Sequence, residues 1–246
     1  MRTFSIKIRL NNKTSTNHLM IKAIIFDLDN TLIDFWKMKS LSVEKAVDAM
    51  IKAGLKMRKE KALEEIYAIY DKRGYEERFI FQEFMENHGK IDYRIIARGI
   101  VAYKNEWSKR IVPYPKVEET LAKLKEDGLK LGVITDAPRM KAWQRLVGMG
   151  IDKYFDFMIA LEDCSRRKPH PLPFKIAIRM SGFKPGEMMM VGDWIEKDVI
   201  GAGNVGMKTC LAEYGNQSYG SKRGSKEIIK PDYRIKSFDE LIGIVG

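Results

Sequence analysis

The chain has 246 residues, 45% of them hydrophobic, and 44 Lys and Arg against 33 Asp and Glu give it a formal charge of +11. That length allows one large α/β domain, or one carrying a smaller insertion, and no apolar stretch approaches the ~20 residues that cross a membrane. Two cysteines, Cys164 and Cys210, without metal spacing exclude a disulfide scaffold and point to a reducing, cytoplasmic setting.

Residues 1–19 stand apart, polar and basic, with Arg2, Lys7, Arg9 and Lys13. Lys7 and Arg9 interrupt the run from Phe4 to Leu10, so this is no signal peptide, and a poorly ordered extension is expected before Met20. Ala23 to Phe26 is wholly apolar and reads as a buried parallel strand. After Asp34 the period becomes helical: Val43, Val47, Met50, Ile51; Leu63, Ile66, Tyr67, Tyr70; Phe79 to Met85; Ile96, Ile100, Tyr103, Trp107. Four helices and no strand are expected between 35 and 111, closed by Pro113 and Pro115. Strand-length runs then alternate with helices: Val117–Glu126, Leu131–Thr135, Met140–Val147, Phe155–Ala160, Pro173–Met180, Met188–Val191, Val199–Asn204, Lys208–Ala212. Such alternation predicts an α/β fold, a doubly wound parallel sheet of Rossmann type. The expected division is an α/β catalytic core of residues 20–34 plus 112–246 and an inserted all-α cap of residues 35–111.

Three of these strands end in residues suited to phosphoryl chemistry. In an open parallel sheet, ligands bind beyond the carboxyl ends of the strands, where Asp27, Thr135 and Asp193 would meet. Asp27 and Asp29 share a face of an extended chain, so one carboxylate can act as nucleophile while the other moves protons. Two acids this close call for a cation, and a hard divalent ion with oxygen ligands suits them. Asp193, after Gly192, would face the same crevice, with Asp198 reaching back from the next helix. Thr135 adds a hydroxyl, followed by the amides of Asp136 and Ala137, and Lys168 offsets negative charge. Arg166 and Arg167 read as a basic surface turn.

Some patterns mislead. Gly201-Ala202-Gly203-Asn204-Val205-Gly206 fits GxGxxG, yet it closes a helix and leads into a strand, the reverse of a dinucleotide fingerprint. Gly215 to Lys222 has the spacing of a P-loop but the wrong Lys-Ser order and reads as a flexible loop. His18, His88 and His170 lack zinc spacing. The basic excess is interleaved with Glu, as in Lys59-Glu60-Lys61, so it reads as solvated surface rather than a nucleic-acid footprint.

Asp27-Leu28-Asp29-Asn30-Thr31 resembles the DxDxT motif of the haloacid dehalogenase (HAD) superfamily. Thr135 is similar to its second motif, Lys168-Pro169 to its third, and Gly192-Asp193 with Asp198 to its fourth. The resemblance implies Mg²⁺-dependent phosphoryl transfer through an aspartyl-phosphate: Asp27 the nucleophile, Asp29 the general acid and base, and Thr135, Asp136 and Lys168 the phosphate-binding residues. It also implies Mg²⁺ held by Asp27, the Asp29 carbonyl, Asp193 and Asp198, and a helical cap of the C1 type. Trp194 stands where many relatives have Ser or Thr, and Asp136 where Asn is more frequent.

The leading expectation is a phosphomonoesterase acting on a small soluble metabolite, with Arg73 and Tyr75, between two cap helices, setting specificity. A sugar-phosphate phosphomutase, a phosphonate hydrolase using Lys37 or Lys39, and a non-catalytic anion or nucleic-acid binder are the alternatives. The sequence leaves the metabolite and any homo-oligomer open.

Overall fold

The structure, a computed structural model, describes residues 20–89, 91–218 and 230–245; the extension expected at 1–19 and the end of the loop from Gly215 lie outside them. Six parallel strands form one sheet in the order β3-β2-β1-β4-β5-β6. They are β1 (Ala23–Phe26), β2 (Lys130–Ile134), β3 (Phe157–Ile159), β4 (Met188–Gly192), β5 (Lys208–Ala212) and β6 (Tyr233–Ile235). Residues of β1 alternate between two cores: Ile24 and Phe26 join Leu131, Val133, Met189 and Val191 on one face, while Ala23 and Ile25 join Phe157, Met188 and Met190 on the other. Burial on both faces explains why these strands read as unbroken apolar runs.

Helices α5 (Val117–Glu126), α6 (Arg139–Gly148) and α10 (Glu240–Val245) place Leu121, Leu146 and Leu241 on the first face. Between α6 and the strand β4 come the short α7 (Leu161–Cys164) and α8 (Pro171–Ser181), and after β4 a π-helix, Ile195–Ile200, runs into α9 (Gly201–Gly203). Phe174 of α8 and Ala202 of α9 cover the opposite face. The sheet is thus doubly wound. Strand β6 and helix α10 were not expected from the sequence: β6 has three residues, of which only Ile235 is fully buried, too brief a signal for periodicity.

The chain turns away from the sheet after β1 and forms α1 (Phe35–Lys52), α2 (Lys59–Arg73), α3 (Ile80–Glu86) and α4 (Tyr93–Lys109). This helical block has its own core, built from Val43, Val47, Met50, Ile66, Phe84 and Ile96. Asp34 starts α1 by accepting a hydrogen bond from the Lys37 amide at 2.9 Å, the usual service of an N-cap carboxylate. The outgoing and returning segments pair with each other: Ile33 bridges Pro113, and the Tyr114 amide donates to the Leu32 carbonyl at 2.9 Å.

Register brings the strand ends level. Phe26 lies beside Val133 of β2 and Val191 of β4, and the chain winds outward from β1 in opposite directions on the two sides. That is the switch point at which an open parallel sheet offers its crevice.

Candidate active site

Each strand around the switch point delivers one acid or hydroxyl to the crevice. Asp27 follows β1, and its amide donates to the Val191 carbonyl at 2.9 Å, fixing it to the sheet. Thr135 follows β2, and Asp193 follows β4. Asp27, Asp29, Thr135, Asp136, Lys168, Asp193 and Asp198 all line one cavity of about 610 Å³. Residues separated by most of the chain therefore meet where the sequence places them. Arg73, the last residue of α2, and Tyr75, in the α2–α3 loop, line the same cavity, as does Arg167, which the sequence suggested was only a surface turn.

Lys168 is the electrostatic centre. It is 4% exposed, and its Nζ donates to Asp27 Oδ1 and Asp198 Oδ1, both at 2.6 Å, and to the Ile134 carbonyl at 3.2 Å. Burial alone would lower this ammonium's pKa, but Asp198 and Asp27 outweigh it and hold the charge firmly. Burial raises both carboxyls above their ordinary range; Lys168 opposes the rise in each.

Asp198 sits on the π-helix, a distortion often found at functional sites, and its Oδ2 accepts from the Trp194 amide at 3.0 Å. Gly192 makes that approach possible, because a Cβ there would lie 2.4 Å from the Asp198 carboxyl carbon. Oxygens of Asp27, Asp193 and Asp198 come within 4.8 Å of one another. This all-oxygen donor set can hold a metal ion, and its chemistry fits a hard divalent cation.

Asp136 uses its side chain for support. Its Oδ1 accepts from the Lys168 amide at 2.9 Å and its Oδ2 from Lys197 Nζ at 2.8 Å. Burial works against its ionisation, but the two lysines prevail and hold the carboxyl below the ordinary range. The Ala137 amide donates to Thr135 Oγ1 at 3.1 Å, setting that side chain's rotamer.

Beyond Asp29 the chain reverses through Asn30, whose φ of +63° is a left-handed conformation that Asn tolerates better than most residues. Asp29 is only partly buried, and Arg145 Nη1 reaches its two oxygens at 3.0 and 2.8 Å. Burial raises the Asp29 pKa to about 7, with Arg145 opposing and Glu76 and Asp27 adding to the rise. A carboxyl titrating there can hold or release a proton near neutrality.

Arg145 and Glu76 were not singled out in the sequence. Arg145 lies on the buried stripe of α6 with Ala142 and Leu146, and a charge at a core position was the available signal. Lys39 is equally buried; burial lowers its pKa to about 7. Its Nζ donates to the Tyr75 carbonyl at 2.6 Å and the Tyr103 hydroxyl at 3.1 Å, with the Tyr70 ring centroid 4.1 Å away. It lines a second cavity, of about 660 Å³, and anchors the α2–α3 loop rather than facing Asp27. Lys37 is exposed.

Tyr75 donates through its hydroxyl to Asp71 at 2.7 Å and stacks on Tyr70 at 5.4 Å, while Arg73 pairs with Glu83 at 3.0 Å. Among the described residues, no helix is long and apolar enough to cross a membrane. Cys210 is fully buried in β5, and burial pushes its thiol up to about 12, an inert core residue.

Known proteins share this architecture. The chain is 36% identical over 227 residues to a glyceraldehyde 3-phosphate phosphatase of Methanocaldococcus jannaschii, covering 92% of this chain and 97% of that protein. It is 32% identical over 229 residues to the Methanopyrus kandleri protein of the same name, covering 92% and 97%. A HAD phosphatase from Thermococcus onnurineus superposes with a TM-score of 0.63 at 27% identity, covering 92% of this chain and 98% of that one. A subfamily IA hydrolase from Geobacter sulfurreducens, at 20% identity and a TM-score of 0.60 over 92% and 97% of the two chains, shares the fold. The family model described as haloacid dehalogenase-like hydrolase matches residues 24–212, a span that starts in β1, ends with β5 and contains every strand end lining the crevice. By fold, by motif order and by these relatives, the chain belongs to the haloacid dehalogenase-like hydrolases.

Proposed function

We propose that this hydrolase is a phosphatase that removes phosphate from a small metabolite through an aspartyl-phosphate on Asp27, with a triose phosphate as its substrate. The observation that carries the reaction is the convergence of Asp27, Lys168, Asp193 and Asp198 at the switch point, beneath a cavity large enough for a small metabolite. The substrate rests on the relatives, several of which are named glyceraldehyde 3-phosphate phosphatase at 32–36% identity.

Asp27 attacks phosphorus, the bond from phosphorus to the departing oxygen breaks, and Asp29 gives its proton to that oxygen. Asp29 then takes a proton from the water that hydrolyses the aspartyl-phosphate. Lys168 and Thr135 bind the phosphoryl oxygens, while Asp136 and Lys197 hold Lys168 in place. Mg²⁺ on Asp27, Asp193, Asp198 and the Asp29 carbonyl would neutralise the negative charge that gathers there. The helical block acts as a cap in which Arg73 at the end of α2 and Tyr75 in the α2–α3 loop meet the departing group.

The test is phosphate release from a panel comprising glyceraldehyde 3-phosphate, phosphoglycolate, glucose 6-phosphate, AMP and pyrophosphate. Asp27→Asn should lower turnover by on the order of 10³-fold or more, as expected for loss of a nucleophile, and EDTA should abolish it until Mg²⁺ is restored. Substantial turnover by Asp27→Asn would remove the mechanism. A panel led by another substrate would remove the triose phosphate alone.

A further inference from the structure

One arginine joins the helical block to the reacting end of the site. Arg145 is the largest fully buried side chain among the described residues, at 0% exposure. It belongs to α6 of the sheet layer, yet most of what surrounds its guanidinium comes from elsewhere. Nη1 donates to both oxygens of Asp29, and Nη2 donates to Glu76 of the α2–α3 loop. The ring of Phe35, the first residue of α1, lies 4.6 Å from the guanidinium carbon, and that of Trp107, in the last turns of α4, lies 5.6 Å away. The beginning, middle and end of the helical block thus converge on one cation whose other partner is Asp29.

Nε has no hydrogen-bond partner among the described residues. A buried ion pair is weak evidence for stability, because desolvation consumes most of its attraction, and an unmade bond on a buried donor adds a cost. Apolar side chains of similar volume would fill this place more cheaply. What the arginine uniquely supplies is a planar fork able to hold two carboxylates at fixed angles to each other.

We propose that Arg145 is a positioning residue that ties the orientation of Asp29 to the docked position of the helical block through Glu76. With the block docked, Glu76 and the two rings hold the guanidinium, and the guanidinium holds Asp29 where it can deliver its proton to the departing oxygen. When the block lifts away, Glu76 and both rings leave together and Asp29 loses its fixed geometry. Proton delivery is thereby confined to the closed enzyme, where water is excluded.

The proposal rests on the reading of Asp29 as proton donor, so the experiment separates the two. The measure is kcat/KM for phenyl phosphate and 4-nitrophenyl phosphate with Mg²⁺, which reports the step up to loss of the phenol. Nitrophenolate departs with little help, whereas phenol needs the proton. Asp29→Asn should therefore lose more on phenyl phosphate than on 4-nitrophenyl phosphate. Arg145→Met and Glu76→Gln should show the same imbalance, with the ratio of the two kcat/KM values shifted by about tenfold or more in Arg145→Met, a fraction of the ~10²–10⁴ that a proton donor contributes.

A merely structural role would lower both substrates in proportion. Thermal unfolding reports whether Arg145→Met folds; if it does not, Glu76→Gln, on a partly exposed loop residue, decides alone. An unshifted ratio in Glu76→Gln and in any folded Arg145→Met, beside a shifted ratio in Asp29→Asn, overturns the role of Arg145 and spares that of Asp29. Unshifted ratios in all of them overturn both.

Discussion

Gly192→Ala isolates the packing that holds Asp198 beside Lys168. The added methyl would lie 2.4 Å from Asp198 Cγ and Oδ2 and 2.6 Å from its Cβ, whereas non-bonded carbons rest about 3.5–4 Å apart. Asp198 must therefore retreat by roughly 1 Å. It is 1% exposed and tightly packed. Its bonds to Lys168 Nζ at 2.6 Å and the Trp194 amide at 3.0 Å cannot both survive such a shift. Overpacking costs about 1–3 kcal/mol, and a lost hydrogen bond to a charged group about 1.5–3 kcal/mol. The sum, about 2.5–6 kcal/mol, lowers the Tm of a protein this size by roughly 5–24 °C, at about 2–4 °C per kcal/mol. Calorimetry in EDTA measures this directly. Titration of activity with Mg²⁺ should in parallel show the half-maximal concentration rise by about tenfold or more, as when the support of a metal ligand is removed. Gly203→Ala is the control, since nothing lies within 4 Å of a Cβ there, and it should stay within about 0.5 kcal/mol of the parent. If Gly192→Ala unfolded at the parent's temperature with an unchanged Mg²⁺ requirement, the placement of Asp198 would be wrong.

Two further outcomes follow from the site. Metal-free protein should become more stable as pH falls from about 7 toward 4: burial raises Asp29 to about 7 and also raises Asp27, so the folded state binds protons that the unfolded chain, titrating near 4, does not. Denaturant midpoints in EDTA across this window test the sign, and midpoints that rise with pH would contradict it. In the α2–α3 loop, Tyr75→Ala removes the ring stacked on Tyr70 and edge-on to Trp36 at 4.5 Å. It should change relative kcat/KM among metabolite phosphates more than it changes hydrolysis of 4-nitrophenyl phosphate; equal effects on all would place the loop outside recognition.

The sheet and the strand-end aspartates were legible because a strand buried on both faces needs an uninterrupted apolar run, and a single acid closing such a run is conspicuous. Ala23 to Phe26 was delimited to the residue for this reason. The helices of the block were legible through four stretches, three of which lie within a helix while Phe79 to Met85 starts at the N-cap of α3. Strand β6 was not, since Tyr233 and Arg234 are at least partly exposed and a three-residue edge strand has no period to detect. The partnership of Arg145 with Asp29 and Glu76 was illegible for a different reason. It joins residues 116 and 69 positions apart, and although the place of Arg145 on the buried stripe of α6 marks a core charge, nothing local names the carboxylates it faces. Lys197 was hidden in the same way, its distant partner Asp136 having been read for its amide rather than its carboxylate.

The paired crossing between β1 and the helices has a mechanical consequence. Asp29 bridges Ile33, and Ile33 bridges Pro113, so a short ladder of backbone runs from the site to the returning segment. Asp27, two residues earlier, belongs to the sheet through its bond to Val191. The two carboxylates, two residues apart, therefore have different backbone ties, Asp27 to β4 and Asp29 to the crossing that leads to the helices. In the proposed mechanism, any rotation of the helices about that crossing would alter the gap between Asp27 and Asp29.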